Sequence, residues 1–114
     1  MKNGYSRNDN EFMGRIGNEL VLKDIGQNEI VLEISLAVTK SWKDKDSGER
    51  KESTTWIPLK AYGVIAQNIE KACKKGDKVF FDAEYYSGVK EKKDGSKDYW
   101  HYFKIDNFVM INKL

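Results

Sequence analysis

Apolar and polar side chains alternate over residues 29–40, and this pattern constrains the fold more than any other feature of the chain. The apolar members of the pattern are Ile30, Leu32, Ile34, Leu36 and Val38. Successive side chains of a β-strand point to opposite faces, so these residues share one face of the strand. We therefore predict a half-buried strand, with Glu33, Ser35 and Thr39 on its opposite face.

Four further strands and one helix are predicted around this strand. The strands cover residues 11–22, 53–62, 77–87 and 98–111. The helix covers residues 63–75 and ends near Gly76, and its apolar face consists of Ile65, Ile69, Ala72 and Cys73. The predicted order, three strands followed by one helix and two strands, is that of the OB-fold. We therefore predict an all-β fold, a five-stranded antiparallel OB-fold barrel with a small helix between strands 3 and 4.

The remaining segments are predicted to be loops and one terminal extension. Charged hairpin loops cover residues 43–52 and 88–97, and a turn covers residues 23–28. Residues 1–10 are polar and are expected to be a flexible segment, which leaves residues 11–114 as one domain. Aromatic side chains make up 12% of the chain, which is too many for a disordered protein. The sequence has neither a membrane span nor a signal peptide, so we expect a cytoplasmic protein.

Catalytic chemistry is not expected from the sequence. His101 is the only histidine and lies in a run of aromatic residues, and Cys73 is the only cysteine and lies on the apolar helix face. A lone cysteine excludes an intrachain disulfide and a cysteine-based metal cage. The chain has no phosphate-binding loop, zinc-protease motif or nucleophile elbow. We therefore predict that the protein is not an enzyme and needs no cofactor or metal.

The outward face of the third predicted strand has the composition of a binding surface. Trp56, Lys60 and Tyr62 lie opposite an apolar face that consists of Ile57, Leu59 and Ala61. Exposed rings next to lysine suit single-stranded nucleic acid, because the rings stack on unpaired bases and the cations follow the phosphates. The same rings would also suit an interface with another protein or subunit. The pattern alone does not separate these two interpretations.

The last two predicted strands also carry aromatic side chains. Tyr86 has the outward parity of the fourth strand, and Tyr85 has the inward parity. The last strand is aromatic on both faces. Parity therefore leaves Trp100 and Tyr102 unassigned.

Residues 42–56, WKDKDSGERKESTTW, resemble a hairpin of the bacterial single-stranded DNA-binding proteins. In that family a tryptophan, an Asp-Lys pair, a Ser/Thr-Gly-Glu turn, a Lys-Glu pair and a Thr-x-Trp follow at this spacing. Residues 13–17 are similar to the family's opening strand, and residues 35–39 are similar to the run before its first tryptophan. The similarity covers about residues 11–111.

This resemblance implies an OB-fold that binds single-stranded DNA. Matched position by position, it assigns base stacking to the rings of Trp42, Trp56 and Tyr62. It also assigns contacts with the DNA backbone to Lys45 and Lys75. Together with the outward parity above, the expected DNA-binding residues are Trp42, Lys45, Trp56, Lys60, Tyr62, Lys75, Tyr86 and Lys90.

Three positions depart from a regular strand or from the family pattern. A regular strand would turn Trp42 inward with Val38, so we expect a bulge or the start of the loop before it, or a ring that packs instead of stacking. Lys90 stands where the family often has another stacking tryptophan. Ile57 stands where the family often has a histidine near its subunit contacts.

The resemblance also implies an assembly and partners. Members of the family form homotetramers, and we expect a homotetramer here, with a homodimer as the alternative. Members usually continue into a flexible linker with an acidic tip that recruits replication and repair proteins. The sequence ends at Leu114 without one, which indicates a tail-less relative or a trimmed chain.

The expected role is to protect single-stranded DNA during replication, recombination and repair. Two alternatives stay open at this point. One is a tail-less primosomal-type OB protein that acts mainly through protein partners. The other is an OB module that binds single-stranded RNA.

Overall fold

The computed structural model describes residues 6–114 of the chain. Within this part, six strands and one helix follow in the order β1 (Asn10–Ile16), β2 (Lys23–Gly26), β3 (Glu29–Lys43), β4 (Arg50–Tyr62), α1 (Gly63–Ala72), β5 (Lys78–Glu91) and β6 (Lys97–Asn112). Residues 1–5 of the predicted flexible segment lie outside the described residues. Its last residue, Asn10, begins β1. The Asn8 side chain donates to the C=O of Tyr85 at 2.8 Å and accepts from the N–H of Tyr85 at 2.9 Å.

Five of the strands close into a ring within residues 6–114. β1 pairs with β5, β5 with β6, β6 with β4, and β4 with β3, and β3 returns to β1 through Ile16 opposite Leu36. The pairings are antiparallel except that of β4 with β6, which is parallel and includes Leu59 opposite Phe103. The prediction of a five-stranded OB-fold barrel with one helix between its third and fourth strands is confirmed.

An apolar core fills the barrel. Its most deeply buried side chains come from the strands of the ring and from the helix, and include Ile16, Leu32, Leu36, Leu59, Ile69, Val79, Phe81 and Ile105. α1 packs Ala66 and Ile69 into this core against β3, β4 and β6. Gly14 lets β1 approach β3 closely, because a Cβ atom there would collide with the C=O of Ala37.

The predicted first strand, residues 11–22, is wrong in its second half. β1 ends at Ile16, and Asn18 continues the bonding to β3 through its side chain instead of its backbone. The Asn18 amide donates to the C=O of Glu33 at 2.9 Å and accepts from the N–H of Ser35 at 2.8 Å. The predicted turn over residues 23–28 is shorter in the structure, because β2 occupies its first four residues. Within this segment, only residues 26–28 have left-handed φ values.

Both long hairpins extend further than the apolar pattern predicts. β3 continues to Lys43, β4 begins at Arg50 and β5 continues to Glu91. Cross-strand pairing continues through these charged residues. Hydrophobic periodicity does not register a strand whose side chains are exposed on both faces.

The helix is shorter than predicted, since α1 ends at Ala72. The N–H of Cys73 donates to the C=O of Ile69 at 2.8 Å and closes the last turn. Gly76 is therefore not the helix cap. Its φ of +95° belongs to the turn before β5, where its N–H donates to the C=O of Ile16 at 2.8 Å.

Asp77 is the only charged side chain that is fully buried among residues 6–114. Its carboxylate accepts hydrogen bonds from the N–H of Leu114 at 2.8 Å and from the N–H of Lys74 at 3.0 Å. These hydrogen bonds lower the pKa of the Asp77 carboxyl from its ordinary value, and the bond from Leu114 has the largest effect. Asp77 therefore joins the turn after α1 to the residues that follow β6.

We expect Asp77→Asn to lower the melting temperature at pH 7, because one amide oxygen replaces two acceptor oxygens. A lowered pKa stabilises the fold above the carboxyl pKa of the unfolded chain, about 3.9, and this stabilisation is lost as the pH falls through the folded-state pKa. The difference in melting temperature between wild type and variant should therefore shrink in acid. Asp94→Asn, at an exposed hairpin tip, is the control with little expected change. Equal melting temperatures for Asp77→Asn and the wild type at pH 7 would contradict the conclusion that Asp77 stabilises the fold by joining these two segments.

Candidate nucleic-acid interface

The structure assigns the faces of β6 that parity left open. Asn107 pairs with Asp82 and Ile105 pairs with Ala83, so Asp106 is an extra residue that forms a β-bulge. Because the bulge reverses the parity, Phe103 and Ile105 point into the barrel on one side of it, and Phe108 and Met110 on the other. On the hairpin side of the bulge, the outward residues are Trp100, Tyr102 and Lys104.

Four rings from three strands form a continuous outer surface, which we call the aromatic platform: Tyr62, Tyr86, Trp100 and Tyr102. The ring of Tyr102 stacks on Tyr86 with centroids 5.7 Å apart and 13° between planes, and on Trp100 with centroids 5.8 Å apart and 24° between planes. The hydroxyl groups of Tyr62 and Tyr102 form a hydrogen bond of 3.5 Å. Tyr102 therefore lies in the middle of the platform and contacts the other three residues.

The backbone beneath the platform is shaped to hold its rings. Trp100 lies directly over Gly88 on β5, where a Cβ atom would collide with the indole. Tyr86 lies opposite Tyr102 in the same strand pair. Cross-strand neighbours on one face of a sheet are close enough for their rings to touch. Two features of the sequence therefore position the stacked rings: Gly88 leaves room for Trp100, and Tyr86 and Tyr102 lie opposite each other in the strand register.

Lysine side chains lie among these rings. The Nζ atom of Lys60 is 4.6 Å from the centroid of Tyr102, and the Nζ atom of Lys104 is 5.9 Å from the centroids of both Tyr62 and Tyr86. At these distances the ammonium groups are attracted to the ring faces. The platform therefore combines flat apolar faces with positive charge.

The platform includes one phenol with a raised pKa and two rings with accessible faces. Burial, together with the hydrogen bond to Tyr102, raises the pKa of the Tyr62 phenol from its ordinary value. A phenol with the ordinary pKa of about 10 is already neutral near pH 7, and the upward shift keeps Tyr62 uncharged to higher pH, so it does not repel a phosphate. Tyr86 and Trp100 keep 38% and 43% of their surface exposed, which leaves ring area free for a flat ligand.

Of the residues predicted from sequence, the structure brings Lys60, Tyr62 and Tyr86 together in the platform or against its rings. Trp56 lies on the same outward face of β4, with 57% of its surface exposed, and its indole contacts Gly17. Lys90 continues the outward face of the β5–β6 hairpin and lies opposite Asp98. Three residues of the surface escaped the sequence prediction, namely Trp100, Tyr102 and Lys104.

Neither the bulge nor the start of the loop, two of the three alternatives expected for Trp42, is present before it. β3 and β4 pair without a register shift from Val31 opposite Tyr62 to Trp42 opposite Lys51 and beyond. Trp42 therefore lies on the inward face with Val38 and opposite to the face of Trp56. Its ring is nevertheless 41% exposed, because this part of the hairpin extends beyond the core.

The two remaining predicted lysines lie in connecting segments. Lys45 is in the exposed loop between β3 and β4, and Lys75 is in the exposed turn between α1 and β5. Neither belongs to the platform.

The structure describes residues 6–114. No group of three or more His, Cys, Asp or Glu side chains in this part of the chain is placed to hold a metal ion. The helix described in the same range, α1, lacks the length and hydrophobicity needed to span a membrane.

Comparison with known proteins adds to this geometry. The model of the single-strand binding protein family matches residues 8–111. The chain belongs to this family. It is 26% identical over 108 residues to single-stranded DNA-binding protein 1 of Xylella fastidiosa, covering 95% of this chain and 79% of that protein. It is also 26% identical over 98 residues to a single-stranded DNA-binding protein of Rickettsia felis, covering 84% of this chain and 64% of that protein.

A solved structure resembles the fold of this family member. The protein in the Plasmodium falciparum SSB complex with ssDNA superimposes with a TM-score of 0.77 at 22% identity. The match covers 96% of this chain and 99% of that chain. The family resemblance stated from the sequence is therefore confirmed, and so is the OB-fold.

Proposed function

We propose that the protein binds single-stranded DNA with little sequence preference. The observation that carries the proposal is the aromatic platform, in which stacked outward rings and the ammonium groups of Lys60 and Lys104 share one surface. Membership of the single-strand binding protein family supports it. The rings offer faces to unpaired bases, and this binding tolerates any sequence because every base has a π-face.

The expected mechanism has a stacking part and an electrostatic part. Stacking contributes about 1–3 kcal/mol per base. Lys60 and Lys104 lie beside the rings and would neutralise phosphates of the same strand. We propose Lys45, Lys75 and Lys90, which are exposed, as further phosphate contacts, and Trp42 and Trp56 as further stacking rings. No catalytic step is part of this proposal.

Titration with oligo(dT) tests the proposal. We expect tryptophan fluorescence to be quenched, because Trp100 lies in the platform. Each neutralised phosphate releases counterions, so the logarithm of the association constant should fall with the logarithm of salt concentration by about 0.7 per phosphate. A matched RNA strand tests the RNA-binding alternative. Unchanged fluorescence at low salt, or tighter binding of RNA, would contradict the proposal.

We further propose that the protein forms a homotetramer, with a homodimer as the alternative. The outer face of β1, β5 and β6 carries an apolar row in which Met13, Phe80 and Val109 lie side by side. Met13 and Val109 are each 48% exposed. Among residues 6–114, β1 pairs with β3 only at Arg15 and Ile16, so the rest of that edge is open for a strand of a second copy.

Light scattering at micromolar concentration tests the assembly. We expect a mass four times the 13.2 kDa of the chain. Phe80→Ser should shift the mass downward, because it places a polar group in the apolar row. A wild-type mass of 13.2 kDa would contradict the assembly.

The proposal extends to the cellular role. A protein of this kind would protect exposed single strands during replication, recombination and repair. The primosomal-type alternative predicts weak DNA binding together with specific capture of a protein partner. A pull-down compared with the oligo(dT) titration separates the two roles.

A further inference from the structure

A cleft opens between β4 and β6 beside the aromatic platform. The two strands pair only at Leu59 opposite Phe103 and Lys60 opposite Lys104, and they separate toward their hairpins. The cleft has a volume of about 430 Å³, within the range of about 300–1,000 Å³ for small-molecule sites. Its wall includes Ser35, Pro58 and His101, and it shares Lys60 and Tyr102 with the platform.

Pro58 explains where the pairing stops. The N–H of Ser35 donates to Asn18 at 2.8 Å, and its C=O accepts from the N–H of Gly17 at 2.8 Å, so both groups point away from β4. Ser35 and Pro58 are therefore a non-hydrogen-bonded pair, and the nitrogen of Pro58 points toward β6.

The missing N–H of Pro58 leaves an acceptor unused by the sheet. In the register of β4 and β6, an N–H at position 58 would donate to the C=O of His101 and lengthen the ladder by one pair. Proline has no N–H, and within sheets it is found where that side of the strand lacks a neighbour. The C=O of His101 therefore receives no ladder bond from β4 and borders the cleft.

We propose that this cleft binds one nucleobase by its edge, next to the bases stacked on the platform. This inference rests on the proposed function. The C=O of His101 is an acceptor, the ammonium of Lys60 is a donor, and the hydroxyl of Ser35 can act as either. Unpaired bases are commonly bound through donors and acceptors on their Watson–Crick edges. All four bases carry a donor beside an acceptor on that edge, so the cleft accepts any base.

A scan with abasic nucleotides tests the cleft. The probe is the shortest dT oligonucleotide that keeps full affinity, so that the strand cannot shift its position without losing contacts. A single abasic nucleotide is moved through it, and the dissociation constant is measured for each oligonucleotide. For the wild type we expect affinity losses of about tenfold at the platform positions and at one additional position, that of the cleft base.

Two variants close the cleft by different routes. Pro58→Val supplies the N–H that extends the ladder to His101, and Ser35→Leu fills the cleft from β3 without changing the backbone of β4. In both, the penalty at the additional position should disappear while the penalties at the platform positions remain. If Pro58→Val does not fold, Ser35→Leu alone decides. Thr39→Leu lies on the same face of β3 outside the cleft and should retain every penalty.

Two results would overturn the inference. The first is a wild-type scan with penalties at the platform positions only. The second is an additional penalty that persists in the folded cleft-closing variants. Either result leaves DNA binding by the platform intact. Failure of the wild type to bind any oligonucleotide would overturn both the cleft and the proposed function.

Discussion

Replacing Tyr102 with alanine is expected to weaken single-stranded DNA binding by about 5- to 150-fold. This range corresponds to the loss of one stacked base, about 1–3 kcal/mol. Tyr102 stacks on both Tyr86 and Trp100 and lies under the ammonium of Lys60, so its removal separates the remaining rings. Fluorescence anisotropy with a labelled dT oligonucleotide at constant low salt measures the effect.

Two control variants define what the Tyr102 result means. Tyr102→Phe keeps the ring and loses only the hydroxyl, so its affinity should stay close to that of the wild type. Tyr99→Ala removes a ring that is 75% exposed on the opposite face of β6, and it should also bind normally. A folded Tyr102→Ala variant with wild-type affinity would exclude the platform as the binding surface.

Replacing Leu59 with alanine is expected to lower the free energy of unfolding by about 2–5 kcal/mol. Leu59 is 2% exposed and belongs to the core, so the substitution leaves a cavity between β4 and its neighbours. Urea unfolding followed by circular dichroism measures the change. DNA affinity per folded molecule should stay unchanged, because Leu59 lies on the inward face.

The matched control on the same strand is Trp56→Ala. Trp56 is 57% exposed on the outward face, so we expect the fold to be kept and DNA affinity to fall by about 1–3 kcal/mol. The two variants should thus affect different quantities. The opposite result is that Trp56→Ala unfolds the protein, while Leu59→Ala folds stably but no longer binds DNA. That result would mean that the inward and outward faces of β4 have been exchanged.

The barrel was predictable because burial and periodicity agree in its central strands. Leu32, Ile34 and Leu36 recur with period two and are all buried. The helix was predictable from the change of period after Tyr62. The end of β1 was not, because Asn18 bonds to β3 with its side chain, and sequence periodicity does not distinguish such bonding from a strand.

The candidate site was only half predictable. Lys60, Tyr62 and Tyr86 follow from parity, because β4 and the hairpin end of β5 are regular where these residues lie. Trp100 and Tyr102 do not, because Asp106 adds a residue to β6 and reverses the parity beyond it. A bulge opposite Asp82 depends on the pairing of two distant strands, and local sequence does not encode that pairing.

For Trp42, parity gave the correct face of the strand but not the exposure of the ring. Parity placed it inward, and the family resemblance made it a stacking ring, so the sequence predicted a bulge, the start of the loop, or a ring that packs instead of stacking. The regular hairpin confirms the inward parity and has neither a bulge nor a loop start before the ring. The inward face of β3 becomes accessible where the hairpin extends beyond the core, and the ring is exposed there.

Ultraviolet crosslinking to a dT oligonucleotide, followed by mass spectrometry of the peptides, shows directly whether the bases lie on the aromatic platform. Zero-length crosslinks form only where a base touches a side chain. We expect adducts on the platform, at Tyr86, Trp100 and Tyr102, and their loss at high salt. Adducts confined to the outer face around Phe80 and Val109, with none on the platform, would contradict it.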